Sequence, residues 1–268
     1  MNDDRPVIIA QISDLHCGSQ YHIPSLATRV VDEVNELSPD ALIVTGDLAD
    51  MGFRQEFKVA QRLIERMEVP NLLVLPGNHD ARNVGDLHCE ELFGARSTEL
   101  RFNGVHVIGL DSSEPDLDHG RVGRHQYTWI EERFSDPSEF KIVALHHHLL
   151  PVPGTGRERN IVYDAGDFLR VLTGSGCDMV MCGHKHVPHV WRLEEMVIVN
   201  AGTACTHRLR GLTRPSYNVI EVYRQRVRVI LKHPFGDPEV VADFKRDTSH
   251  ECVWHPEGLP DGTRGECP

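Results

Sequence analysis

The chain predicts an α/β fold in which strands and helices alternate. Two observations carry that prediction. Residues 7–13, 41–44 and 71–75 are near-continuous apolar runs, as in strands covered on both faces, and the segments between them repeat apolar side chains at helical spacing. Each run also hands a polar or ionisable residue to its carboxyl end, where open α/β sheets bind ligands.

The elements follow in order. The run 7–13 ends in Asp14-Leu15-His16, and period-two alternation points Asp14 and His16 the same way. Residues 24–37 carry Leu26, Val30, Val31, Val34 and Leu37 on one helical face, with Pro24 suited to the first turn. The run 41–44 delivers Gly46-Asp47, where a glycine permits close backbone approach beneath the aspartate. Residues 54–67 read as a second helix through Phe57, Ala60, Leu63, Ile64 and Met67. The run 71–75 stops at Pro76-Gly77 and presents Asn78, His79 and Asp80 on a tight turn.

Residues 81–101 are less regular, with a short helix suggested near Glu90–Phe93. A strand over 105–110 ends at Asp111, an acidic Gly-containing loop covers 114–123, and a helix covers 124–134. The run 141–145 ends in His146-His147-His148, and the basic loop that follows, through Arg157 and Arg159, is suited either to contacting a phosphate or to standing as a solvated loop. Residues 164–173 read as a helix. The run 177–182 ends in Gly183-His184-Lys185-His186, and two imidazoles at that spacing on a strand end rarely serve packing alone. The remainder is β-rich at 189–193, 196–200, 217–223 and 227–231. Between Cys205 and His233 stand seven Arg/Lys against one acidic residue, Glu221, a local excess suited to an anion-facing rim or a solvated strand face. After residue 234 the periodicity fades, so the expectation is a main domain over 1–233 and a tail or arm over 234–268.

Composition narrows the class. With 40% hydrophobic and 25% charged residues the chain is of soluble globular type. A net charge of −12 disfavours nucleic acid as a partner, while leaving open a small anion drawn in by bound cations. No run approaches the roughly 18 apolar residues of a membrane span, and the amino-terminal residues lack the pattern of a signal peptide. Seven scattered cysteines, none in a Cys-x-x-Cys pair, fit a cytoplasmic location. Seventeen histidines point to metal or acid–base chemistry.

Taken together, Asp14-x-His16, Gly46-Asp47, Gly77-Asn78-His79-Asp80, His146-His147 and Gly183-His184-x-His186, spaced by βα units, make a set of imidazoles and oxygen donors on strand ends. In this set and order the chain resembles the calcineurin-like metallophosphoesterase family over about residues 7–223. The run to Gly202-Thr203 and the later Ser216-Tyr217-Asn218 are most similar to the bacterial phosphodiesterase branch, which includes the class III cyclic nucleotide phosphodiesterases. The resemblance implies a four-layer αββα sandwich with a bimetal site at the strand carboxyl ends. It implies that Asp14, His16 and His186 bind one metal, that Asn78, His146 and His184 bind the other, and that Asp47 bridges them. His79 would stabilise the transition state or protonate the leaving oxygen, and Asp80 would hold its ring. The donors, all nitrogen and oxygen, suit two divalent transition-metal ions, Mn, Fe or Zn, better than Mg. The chain departs from the branch in one place: the fourth motif usually runs His-His-Pro or His-x-Pro, whereas here His148-Leu149-Leu150 intervenes before Pro151, so His146 is the expected ligand with His147 as the alternative.

The expected activity is therefore hydrolysis of a small phosphodiester, such as a cyclic nucleotide, by metal-activated hydroxide. The rivals are a phosphomonoesterase or nuclease of the same superfamily, and a non-catalytic scaffold on the same fold; homo-oligomerisation is left open.

Overall fold

The computed structural model of the chain describes residues 5–156 and 161–245. Arg157 and Arg159 of the basic loop lie outside those residues, as do the first four and last twenty-three positions.

Two six-stranded sheets stack face to face. The first takes its strands in the order β12-β11-β10-β1-β2-β3, and the second in the order β4-β5-β6-β7-β9-β8. The first half of the chain builds β1 (Val7–Ile12), α1 (Pro24–Leu37), β2 (Ala41–Thr45), α2 (Arg54–Ile64), β3 (Leu72–Leu75) and α3 (Gly85–Phe93). The middle builds β4 (Thr98–Phe102), β5 (Val105–Gly109), α4 (Arg124–Arg133), β6 (Phe140–Ala144), α5 (Ala165–Gly174) and β7 (Met179–Cys182). The last part is β8 (His189–Leu193), β9 (Met196–Asn200), β10 (Tyr217–Val222), β11 (Arg226–Lys232) and β12 (Glu239–Lys245).

The apolar runs of the sequence are explained by three cores. Along β2, Ala41 and Ile43 enter the layer between the sheets, whereas Leu42 and Val44 pack under α1 and α2. A strand buried on both faces has no polar position to alternate with. Phe57, Ala60 and Leu63 of α2 and Val30 and Val34 of α1 close the first outer layer. Tyr127 and Ile130 of α4 and Phe168 and Leu172 of α5 close the second. Fully burying each Leu, Ile or Phe side chain contributes roughly 1.5–3 kcal/mol. The αββα layering follows, since each sheet needs one face against its partner and the other against helices.

Polar ties lock the sheets together beneath the strand ends. Gln11, inside the apolar run of β1, donates to the Cys182 carbonyl across the sandwich at 3.0 Å and accepts from Asn218 of β10 at 3.0 Å.

Two differences from the sequence reading stand out. The irregular stretch 81–101 contains the edge strand β4, antiparallel to β5. Residues 239–245, within the expected tail or arm, form β12, antiparallel to β11 with a register shift at Val229/Ile230. Both are edge strands, whose solvent-facing side removes the apolar signal that marks a central strand.

Candidate metal centre

β1, β2 and β3 run parallel, as do β6 and β7, so their carboxyl ends converge on one rim of the sandwich. The loops leaving these ends are tied to one another. The Asp14 amide donates to the Gly46 carbonyl at 2.9 Å, the His16 amide to the Asp47 carbonyl at 2.9 Å, and the Gly183 amide to the His146 carbonyl at 2.8 Å.

The local backbone is unusual. Asp14, His16, Asp47, His184 and His186 all have positive φ, between 42° and 71°. The two residues of the first motif therefore converge through left-handed turns and not through the alternation of an extended strand. Left-handed backbone costs a side-chain-bearing residue on the order of 1–3 kcal/mol, and Asp and His are among the types that tolerate it best. Gly77 is needed where the turns meet: a Cβ there would lie 2.2 Å from Asp47 Oδ1 and 2.5 Å from the Asp47 amide nitrogen.

Seven donor atoms gather in two overlapping groups. In the first, His186 Nε2 lies 3.0 Å from Asp14 Oδ1 and 3.0 Å from His16 Nε2, and His16 Nε2 lies 3.6 Å from Asp47 Oδ2. In the second, His184 Nδ1 lies 2.9 Å from Asn78 Oδ1 and 3.3 Å from His146 Nε2, which is 3.3 Å from the same Asp47 Oδ2. All seven residues are buried.

The surroundings turn each donor inward. His146 Nδ1 donates to the Thr45 carbonyl at 2.7 Å, His186 Nδ1 is hydrogen-bonded to the Arg208 carbonyl, and His16 Nδ1 faces Asp50 Oδ1 at 3.4 Å. In His146 and His186 the far nitrogen is engaged by a carbonyl, so the near one offers its lone pair to the cluster. Asn78 Nδ2 donates to Asp118 Oδ1 at 3.2 Å, which leaves its oxygen facing the two imidazoles. Asp14 Oδ2 accepts the His184 amide at 3.1 Å, and Asp47 Oδ1 accepts the His79 amide at 2.8 Å.

These residues fit cations. Asp14 Oδ1 is buried, aimed at two imidazoles, and accepts no hydrogen bond. His146 Nε2 has three donor-type atoms around it, and one proton could serve only one of them. Separations of about 3 Å are those of neighbouring ligands whose bonds to a shared ion are about 2.0–2.2 Å. The electrostatics agree. Burial lowers the pKa of His146, yet Asp47 and Asp14 outweigh it and lift it to about 9. Burial works against an ionised Asp47, but His146 and His79 hold it well below the usual carboxylate range. Two buried carboxylates thus draw positive charge into the site. Cys17 nearby is pushed up to about 12 by burial and by Asp80 and Glu56, so it stays a thiol and the donor set remains nitrogen and oxygen.

Of the three consecutive histidines, all buried, only His146 joins the donor groups. His147 Nδ1 pairs with Ser112 Oγ at 2.8 Å, and its ring fills the space over Gly120. Asp111 is also outside the cluster, paired with Arg96 at 3.0 Å.

Asp80 corrects the sequence reading. Its carboxylate does not hold the His79 ring; it accepts the amides of Gly77 at 2.8 Å, Leu48 at 3.0 Å and Ala49 at 2.8 Å. A short acid after a turn can reach the adjacent loop as readily as its neighbour's ring, and here two amides of the Asp47 loop and that of Gly77 decide. The His79 ring is held instead by the Asp50 carbonyl, 2.6 Å from Nδ1, while Nε2 lies 3.1 Å from Arg208 Nη1.

Three residues not expected around the donors join the site: Asp50 behind His16, Asp118 behind Asn78, and, from the basic segment after Cys205, the Arg208 carbonyl behind His186. Asp50, three positions after Asp47, and Arg208, within the basic excess after Cys205, carried some signal. Beside the donors opens a cleft of about 700 Å³ lined by Ser19, Gln20, Tyr21, Asp50, Arg82, His207, Arg208 and Leu209.

Comparison with known proteins places these observations. The family model described as calcineurin-like phosphoesterase matches residues 8–188. The glycerophosphodiester phosphodiesterase GpdQ of Enterobacter lignolyticus is 28% identical over 67% of this chain and 71% of its own. The 3′,5′-cyclic-nucleotide phosphodiesterase alr5338 of Nostoc is 26% identical over 69% of this chain and 74% of its own. Among solved structures, a dimetal phosphatase from Danio rerio superposes with a TM-score of 0.70 at 11% identity, covering 91% of this chain and all of that one, which speaks to the fold.

Proposed function

The chain belongs to the calcineurin-like phosphoesterase family, and from that premise we propose that its metal centre hydrolyses a small phosphodiester such as a cyclic nucleotide. It is a metal-dependent phosphodiesterase by family and by donor set. The observation that carries the binuclear reading is Asp47 Oδ2, which belongs to both donor groups at once. Asp14, His16 and His186 would hold one ion, Asn78, His146 and His184 the other, with Asp47 common to both. Four imidazoles among seven donors suit Mn, Fe or Zn over Mg.

When bound, such a pair supplies Lewis acidity, which acidifies water near neutral pH and neutralises charge on the phosphate. The chain's own residues position the reaction. Left-handed turns and amide bonds preset the donors, so little reorganisation accompanies binding. His79, fixed by the Asp50 carbonyl, packs edge-on against the His16 ring and meets Arg208 at the edge of the cleft. Asp80 keeps the loop around Asp47 in register with the turn at Gly77. The cleft is of the size that takes a small organic ligand. No helix among the described residues is long and apolar enough to cross a membrane. The five cysteines among the described residues are free and buried, which supports a cytoplasmic reading.

The test is metal analysis of purified protein, then a panel of cyclic nucleotides, glycerophosphodiesters, bis(p-nitrophenyl) phosphate and monoesters. The expected result is two transition-metal ions per chain and a preference for diesters. A protein that binds no stoichiometric metal, or that prefers monoesters, sinks the reading.

A further inference from the structure

We propose that Arg208 is a substrate-contacting residue, whose guanidinium binds a non-bridging phosphate oxygen at the mouth of the metal centre and which His79 aims. The inference rests on the phosphodiesterase reading for its substrate, but its geometry stands apart from it. Arg208 Nη1 lies 3.1 Å from His79 Nε2 and 3.3 Å from Asp50 Oδ1. A guanidinium has only donors, so His79 Nε2 must accept. The other ring nitrogen, 2.6 Å from the Asp50 carbonyl, must then donate. The nitrogen that His79 turns toward Arg208 therefore carries a lone pair already engaged by a cation. In this arrangement the proton donors facing a substrate anion belong to Arg208.

The arginine is built into place. Its carbonyl is the partner of His186 Nδ1, and its amide donates to Thr206 Oγ1 at 3.1 Å. Thr206 Oγ1 lies 2.9 Å from Thr203 Oγ1, which donates to the Asp14 carbonyl at 2.7 Å. The backbone of residue 208 is thus tied on both sides to the loop that carries the first donor group. The side chain is 41% exposed at the cleft, and its hydrogen bonds all come from Nη1, leaving Nε and Nη2 to fork onto an anion. Arg82, the other guanidinium of the cleft, is already engaged by Asp118 Oδ1 at 3.0 Å through Nη2 and by the Asp50 carbonyl at 3.4 Å through Nη1. Of the seven basic residues between Cys205 and His233, Arg208 is the one that reaches the site.

The test compares the wild type with Arg208→Ala, Arg208→Lys, His79→Ala and the double variant His79→Ala/Arg208→Ala, all metal-loaded. Arg208→Ala should retain both metals, and its kcat/KM on bis(p-nitrophenyl) phosphate should fall about ten- to a hundredfold, the effect of one charged hydrogen bond. Affinity for inorganic phosphate, measured by calorimetry, should weaken in parallel. Added guanidinium ion should restore part of the Arg208→Ala rate and none of the wild-type rate, and Arg208→Lys should recover less than the wild type because it lacks the fork. If His79 acts through Arg208, the double variant should be no slower than the slower single variant. Unchanged phosphate affinity and kcat/KM in Arg208→Ala overturn the proposal, and multiplicative losses in the double variant overturn the link to His79. A wild type that binds two metals yet cleaves no diester would refute the phosphodiesterase reading instead, and the phosphate affinities would still decide on Arg208.

Discussion

His146 and Asp47 stand at the ends of strands in different sheets, yet His146 Nε2 lies 3.3 Å from Asp47 Oδ2. The centre therefore sits across the seam of the sandwich, and the stacking of the two sheets is what completes it. Replacing Asp47 with Asn should remove the negative charge common to both groups and leave one oxygen for two tasks, accepting the His79 amide and serving the shared donor position. Elemental analysis should find fewer than one metal per chain, with turnover about a thousandfold or more lower, the scale of the several kcal/mol such a pair supplies. Retention of two metals in Asp47→Asn would remove the shared role.

His146 and His147 should separate cleanly. His146→Ala should lose one of two metals. His147→Ala should keep both but lose about 2–4 kcal/mol of stability, because it opens a cavity over Gly120 and strands buried Ser112. Denaturant unfolding and metal content on the same samples distinguish them, and the reverse pattern would transfer the ligand to His147.

Asp80 is expected to act through the backbone. Asp80→Asn cannot accept three amides with one oxygen, so at least one buried amide near Asp47 is left facing an NH2 group. Stability should fall by about 1–3 kcal/mol and metal affinity by roughly ten- to a hundredfold. A variant with wild-type metal affinity and a lowered kcat alone would mean that Asp80 touches the chemistry directly.

Chelation should lower the melting temperature reversibly, since it leaves buried carboxylates and imidazoles facing one another without a counter-charge. Restoring Mn at 100 times its dissociation constant should return about 2.7 kcal/mol. A melting temperature indifferent to both chelator and Mn would mean that the donor groups close on themselves.

The acid limb of stability has one contributor remote from the centre. Burial raises the pKa of Asp164, but hydrogen bonds from Tyr127 and from the Val122 and Gly123 amides outweigh it and hold the group below its ordinary value. A depressed carboxylate stabilises the fold above its unfolded pKa, and that contribution is lost as pH falls through the folded value. Asp164→Asn should therefore lower the melting temperature at pH 7 and flatten its decline below about pH 4. An acid limb identical to wild type would place the titration elsewhere.

By itself the sequence determined the class of structure and the cast of the centre. Strands buried on both faces must be continuously apolar, so the cores under Leu42, Ile43 and Val44 were legible in the composition of short runs. Imidazoles and carboxylates on their ends stood out because nothing in packing calls for them. Edge strands β4 and β12 were not legible, because a strand with a wet side carries mixed residues. Only the tertiary structure decided what each polar side chain faces. Whether His146 or His147 turns inward depends on Thr45 and Ser112, which belong to other elements. Asp80 serves the Asp47 loop because that loop's amides lie across from it, and Arg208 meets His79 because the 203–208 segment is tied to Asp14. Hydrogen-bond partners are set by distances between loops that neighbour only in space, and a residue's identity fixes what it can donate or accept but not to whom.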